Sequence, residues 1–184
     1  MQLLDRIQRH AAYWLALAAF GLMLEGVALY YQYGLDYGPC ILCTHARAWI
    51  LGTAIVALLA IPVRGHRAGR LAAHGLIGGL VVGLTRTSWE TLGVERGWIE
   101  GSCTFDDGYP SWLPLHEWLP SVFEAWELCG YTPELLFGVT MAEGLMVGSV
   151  LALAYLVAAL AAPFASGGRD AAAAEVSLRE SGST

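Results

Sequence analysis

Apolar residues do not alternate with polar ones along this chain; they run together in four long blocks. Residues 11–31, 39–62, 71–90 and 136–162 each match or exceed the roughly 20 residues that a helix needs to cross the about 30 Å hydrocarbon core of a bilayer. Isolated charges interrupt them: Glu25 in the first, Arg47 in the second, Arg86 and Glu90 in the third, Glu143 in the fourth. The connections are short at 32–38 and 63–70 and long at 91–135. The pattern predicts an all-α integral membrane protein, a bundle of four transmembrane helices with one long outer loop. A short segment at 1–10 precedes the first span, and a Gly-, Ala-, Ser- and charge-rich tail at 163–184 is expected to be disordered.

Two finer patterns refine the picture. In the third block Gly75, Gly79 and Gly83 have small-x-x-x-small spacing, which predicts a face for close helix packing. In the long loop, Pro110, Pro114 and Pro120 break regular helix, while Trp112, Leu115, Trp118, Leu119 and Phe123 recur at short helical spacing. A short amphipathic helix lying in the outer interface is expected there.

Charge sets the orientation. The ten basic residues are all arginine. Arg6 and Arg9 precede the first span, Arg64, Arg67 and Arg70 fill the second connection, and Arg169 and Arg179 follow the last span. By the positive-inside rule these segments, with both termini, are cytoplasmic. The long loop is acidic, carrying Glu95, Glu100, Asp106, Asp107, Glu117, Glu124, Glu127 and Glu134 against Arg96 alone. A net charge of −6 gives a nucleic-acid partner no electrostatic support.

With that topology all four cysteines fall on the outer, oxidising side, where disulfide chemistry belongs. Cys40 and Cys43 form a C-x-x-C at the start of the second span. Pro39 suits the first helical position there, and the positive end of the helix dipole favours thiolate over thiol. Arg47, at i+4 from Cys43, puts a fixed cation on the same helix face. The pair reads as redox-active, the alternative being a structural disulfide. A four-cysteine zinc site would need a second close pair, but Cys103 and Cys129 stand far apart, so no metal site is expected. A c-type haem would need histidine where the chain has Thr44. The pattern assigns no function to Glu25, Arg86, Glu90 or Glu143; Arg86 and Glu90 read as an interfacial ion pair.

Taken together, Pro39-Cys40-x-x-Cys43-x-x-x-Arg47 opening the second of four helices, the Cys103 and Cys129 pair in the long loop, and Trp112-Leu113-Pro114-Leu115 with Trp118 and Phe123 between them resemble the disulfide bond formation protein B (DsbB) family of bacterial inner membranes. The resemblance covers nearly the whole chain apart from the tail. In the related vitamin K epoxide reductase family the loop pair precedes the C-x-x-C, the reverse of the order here. Ala46 stands where the DsbB family commonly has an acid, and Ser88-Trp89-Glu90-Thr91 where its members often carry a histidine.

The resemblance implies a quinone-linked thiol oxidase that reoxidises a soluble periplasmic dithiol partner of the DsbA type, the relay that keeps the bacterial periplasm oxidising. It implies that Cys103 takes the partner's thiolate, that the released Cys129 attacks Cys40, and that Cys43, beside Arg47, engages the quinone, ubiquinone or menaquinone. Two alternatives stay open: a specialised paralogue with one dedicated client, and a non-catalytic four-helix membrane protein with two static disulfides.

Overall fold

The computed structural model describes residues 2–100, 109–127, 129–130, 132–136 and 138–181. A short helix α1 (Gln2–Gln8) leads into α2 (Ala11–Gly34), α3 (Ile41–Ala60) and α4 (Arg67–Glu95). In the long loop come two one-turn helices, α5 (Leu115–Trp118) and α6 (Pro120–Phe123). A two-stranded hairpin of β1 (Glu134–Leu136) and β2 (Val139–Thr140) then feeds α7 (Met141–Ser181). Four of these helices, α2, α3, α4 and the 141–161 part of α7, are long and apolar enough to span a membrane. The expected four-span architecture with an interfacial element in the long loop is therefore what the chain adopts.

Side chains sort by face as lipid requires. Trp14, Ala18, Ala57, Ala60, Ala73, Ile77, Val81 and Leu156 form the buried core. Phe20, Met23, Leu59, Leu76, Val82, Leu151 and Val157 point outward. Alanines dominate the α3 seam and bring backbones close: a Cβ on Gly21 would sit 3.2 Å from that of Ala54. The glycine row of α4 is a correction. Only Gly83 meets a neighbour, the Trp49 ring, while Gly75 and Gly79 face open space. Small-residue spacing marks a smooth helix face but not whether another helix covers it.

Other boundaries shift for local reasons. The aromatic interfacial helix is two helices, because Pro120 cannot donate to a continuing ladder and restarts the turn at its own position. The last span begins at Met141, since the Thr140 hydroxyl and the Glu143 carboxylate cap each other's backbone N–H groups, a capping box. Gly138, at φ +79°, makes the hairpin turn just before it. Beyond the span, α7 continues as helix to Ser181 where a disordered tail was expected; the run Ala171–Ala174 has the highest helix propensity of any residue. Arg86 and Glu90 pair on the exposed face of α4, as read from the sequence.

The end of the bundle remote from the cysteines is closed by polar groups that bond to one another, with Arg70 Nε left without a partner. Gln8 donates to the Ala159 carbonyl and Trp14 to the Gln8 carbonyl. Asp5 accepts from Arg9 at 2.7 Å and from Arg70 of α4 at 2.9 Å. Burial pushes the Asp5 carboxyl up, but the hydrogen bonds and charges of Arg9 and Arg70 outweigh it and hold it below the ordinary carboxylate range. The Arg70 side chain is 3% exposed, so removing its partner strands a buried cation. Asp5→Ala should lower stability by about 3 kcal/mol or more, read as a fall in thermal midpoint in detergent. Because the folded carboxyl ionises more readily than the unfolded one, the wild-type contribution is complete above about pH 4 and lost as pH falls further. The Asp5→Ala protein should lack that acid limb.

Candidate functional site

Cys40 is the N-cap of α3, so Pro39 stands one residue before the cap and not at the first helical position. The Cys40 Sγ accepts the Cys43 backbone N–H at 3.3 Å, taking the place that a Ser or Asp oxygen usually fills. Both thiols lie in the first turn as expected, and both are free in this structure. A hydrogen bond from the Cys43 thiol, helped by the backbone N–H groups of the turn, outweighs burial and holds Cys40 below the ordinary thiol range.

The long loop reaches this turn through its backbone. The N–H groups of Trp126 and Glu127 both point to the Pro39 carbonyl, at 3.0 and 3.4 Å, and Glu127 forms a short parallel bridge with Cys40. Tyr33 of α2 fastens the same segment, donating to the Ser121 carbonyl at 2.7 Å and meeting Trp126 edge-on. Cys129 follows two residues after Glu127, a distance of at most about 7 Å along the chain. Cys129 is itself disulfide-bonded, and since Cys40 is free the bond between loop and helix is not formed in this state. Cys103 lies outside the described residues.

Arg47 is 6% exposed and clamps three elements together. Its Nη1 donates to Gln32 Oε1 at 2.6 Å and to the Val122 carbonyl at 2.9 Å, and its Nη2 to the Ala28 carbonyl at 3.2 Å. Its charge is also felt at Cys43, one turn away. The guanidinium therefore does two things where the sequence suggested one: it supplies a cation beside the inner sulfur, and it ties α2 and α6 to α3. Tyr109 completes the contact of loop with α3, stacking on His116 and meeting His45 and Phe123 edge-on.

Sequence reasoning missed Gln32 and Val122. Gln32 is a lone amide after an aromatic run, seven residues beyond Glu25, and that spacing could have placed both on one helix face. Val122 acts through its carbonyl, which leaves no mark in a sequence.

An N-terminal turn of a membrane-spanning helix with two free thiols, a buried cation one turn away and a disulfide-bearing loop hydrogen-bonded to its backbone defines a thiol–disulfide oxidoreductase of the membrane. The sequence profile of the family described as Disulfide bond formation protein DsbB matches residues 9–159. Among curated relatives, Disulfide bond formation protein B 2 of Pseudomonas aeruginosa is 33% identical over 162 residues, covering 86% of this chain and 93% of the relative. Disulfide bond formation protein B of Shewanella sp. (strain MR-4) is 33% identical over 162 residues, covering 87% and 90%. That of Shewanella amazonensis is 34% identical over 150 residues, covering 78% and 86%. The chain belongs to the DsbB family of bacterial inner-membrane, quinone-linked thiol oxidases, and is a multi-pass protein-disulfide oxidoreductase.

Gly38 tests the importance of the loop contact. Its backbone is not in the left-handed region, so a side chain brings no strain of its own, yet a Cβ there would lie 2.9 Å from Glu127 Cγ and 3.1 Å from Trp126 Cβ. Gly38→Val should push the 126–127 segment off Pro39 and slow disulfide exchange between the loop pair and Cys40–Cys43 by about tenfold, the effect of about 1.4 kcal/mol on a barrier. Rapid alkylation and peptide mass spectrometry would follow that exchange, with the thermal midpoint near that of wild type.

Proposed function

We propose that this protein draws electrons from a periplasmic dithiol protein of the DsbA type and delivers them to a membrane quinone, with the cysteines and both long-loop ends on the periplasmic side and both termini in the cytoplasm. The observation that carries the reading is the hydrogen bonding of Trp126 and Glu127 to Pro39, which holds the Cys129 segment against the C-x-x-C turn. The partner's thiolate attacks Cys103 and Cys129 leaves as thiolate. Cys129 then attacks Cys40, breaking the Cys40–Cys43 bond and freeing Cys43 as a thiolate beside Arg47. Resolution of the mixed disulfide by the partner's second thiol oxidises the partner. The Cys103 thiolate released in that step attacks Cys129 in the Cys129–Cys40 bond, re-forming Cys103–Cys129 and freeing Cys40, so that Cys40 and Cys43 are both reduced; that pair closes again as its two electrons leave. Overall one dithiol becomes a disulfide and one quinone becomes a quinol.

A quinone oxygen needs a hydrogen-bond donor or cation in a water-poor setting near the thiolate. The Gln32 amide nitrogen meets that need: it is fully buried and has no partner, while its oxygen is fixed by Arg47. Gln32 and Arg47 are the residues that would hold the quinone, beside Cys43. Bound there, the quinone supplies the two-electron sink whose potential drives the oxidation of a strongly oxidising partner. Arg47 stabilises negative charge on sulfur before the transfer and on oxygen after it, so its charge need not move.

Anaerobic quinol formation by the purified protein, on addition of a reduced DsbA-like dithiol, tests this reading. Wild type should reduce ubiquinone or menaquinone rapidly. Cys43→Ser should abolish the reaction, and Arg47→Ala should slow it by about a hundredfold, as loss of a charge-stabilising donor does elsewhere. A folded wild-type protein that forms no quinol with either quinone would overturn the oxidase reading.

A further inference from the structure

Once the hydrogen bonds of the cysteine end are assigned, one carboxyl group is left over. Glu25 is 7% exposed, and neither of its oxygens has a hydrogen-bond partner. It shares a face of α2 with Ala28 and Gln32, at three and seven residues further on. Those are the two α2 residues that hold Arg47. The guanidinium is not bonded to the carboxyl, yet its charge is felt there and at Cys43 alike. The buried cluster thus contains one permanent cation and two kinds of group, carboxyl and thiol, that can each be anionic.

Charge balance links them. With Cys40 and Cys43 joined as a disulfide, sulfur carries no charge, and among the described residues Glu25 is the carboxyl whose charge acts on Arg47. With the pair reduced, one thiolate balances Arg47, and a second anion in the same low-dielectric volume is costly. We propose that Glu25 is the redox-linked proton acceptor of the C-x-x-C pair: a carboxylate while Cys40–Cys43 is oxidised, it binds a proton when that pair becomes one thiol and one thiolate. Disulfide, carboxylate, two electrons and two protons give thiol, thiolate and carboxylic acid. The S–S bond breaks, one proton goes to sulfur and the other to Glu25, and the cluster is neutral in both states. The proposal rests on the oxidase reading only for the source and destination of the electrons. They arrive by exchange with the loop cysteines, and both protons leave with them as the disulfide closes on the quinone.

The groups facing this cluster are few. From α3 they are Arg47, Cys43 and Cys40, from α2 Tyr33, and from the loop Tyr109 and Glu127, whose backbone bridges Cys40, with His45 and His116 against the far side of the Tyr109 ring. On α4, Arg70 and His74 lie at the opposite end, Arg86 and Glu90 pair on the exposed face, and Glu95 accepts from Thr132 and Thr140. On the spanning part of α7, Tyr155 bonds Tyr13, and Glu143 pairs with Arg96. Among the described residues, Glu25 is the carboxyl that shares a helix face with the groups holding Arg47.

The test uses the quinone-free, full-length protein equilibrated with thiol–disulfide buffers across the pH range in which one sulfur of the reduced pair is ionised. The redox state of Cys40–Cys43 is read by alkylation and mass spectrometry. Each proton taken up with two electrons shifts the equilibrium tenfold per pH unit, about 30 mV. With the buffer's own two-proton pH dependence taken into account, the wild-type potential should shift about 59 mV per pH unit, about a hundredfold at fixed potential, and that of Glu25→Gln only about 30 mV, about tenfold. Equal slopes in the two proteins would overturn the proposal. Infrared difference spectra of oxidised against reduced wild type give a second readout that needs no folded Glu25→Gln. They should show a carboxylic-acid C=O band on reduction that moves in Glu25→Asp, and its absence would equally overturn the proposal. Neither measurement contains quinone or partner protein, so a failure here is distinct from a failure of quinol formation and leaves the oxidase reading standing.

Discussion

The cysteine end of this bundle depends on the burial of one guanidinium. Taking Arg47 out of water costs several kcal/mol unless its donors are met, and the chain meets them from three different elements: the Ala28 carbonyl and Gln32 of α2, and the Val122 carbonyl of α6. A planar fork of donors can serve acceptors in several directions at once, where an ammonium could not hold the same geometry. The consequence reaches beyond the charge. Val122 sits in the last turn of α6, four residues before the segment that bonds Pro39, so satisfying Arg47 also sets where the loop starts its approach to Cys40. The same side chain that places a cation one turn from Cys43 also sets the course of the segment that leads to Cys129.

The two ends of the bundle are built on opposite principles. At the end remote from the cysteines, His74 Nδ1 faces the Arg70 carbonyl, an acceptor only, and therefore carries the proton. Its Nε2 then accepts from the Tyr13 hydroxyl, which in turn accepts from Tyr155. This chain has one direction, and with Asp5, Arg70, Gln8 and Trp14 it links α1, α2, α4 and α7. At the cysteine end, Glu25 and the Gln32 amide nitrogen are buried without partners. Leaving such groups unmet costs stability, and proteins concentrate that cost where chemistry needs it. The remote end, where of these groups one Arg70 nitrogen lacks a partner, fixes the helices, while the cysteine end leaves a whole carboxyl and an amide nitrogen unmet.

The four spans, the C-x-x-C turn and Arg47 could be read from the chain because each has a local signature: length and apolarity, spacing, and a lone charge in lipid. The contacts that make the site could not. Pro39 and Val122 act through carbonyls, which every residue possesses, and the Cys40–Glu127 bridge joins segments 87 positions apart with no periodicity between them. The α4 glycines mislead for the converse reason: Gly75, Gly79 and Gly83 have one spacing but two environments. Glu25 could be seen as a buried acid, but the face it shares with Gln32 gains meaning only once Arg47 is known to sit there.

Two sulfurs three residues apart must deal with partners of different kinds, and their positions divide the work. Cys40, at the cap, is buried under the Glu127 bridge, so the strand leading to Cys129 controls approach to it. Cys43 lies one turn further in, where the Arg47 charge is felt and where α2 offers an unpaired amide and an unpaired carboxyl. A disulfide between them therefore has one sulfur against the loop and the other one turn deeper in the helix, towards Arg47. In the proposed relay, breaking it from the loop side leaves the negative charge on the membrane side, because the attacked sulfur would be Cys40 and the leaving sulfur Cys43. On that proposal the order of the two cysteines along the helix is what gives the electron flow its direction, from loop to lipid.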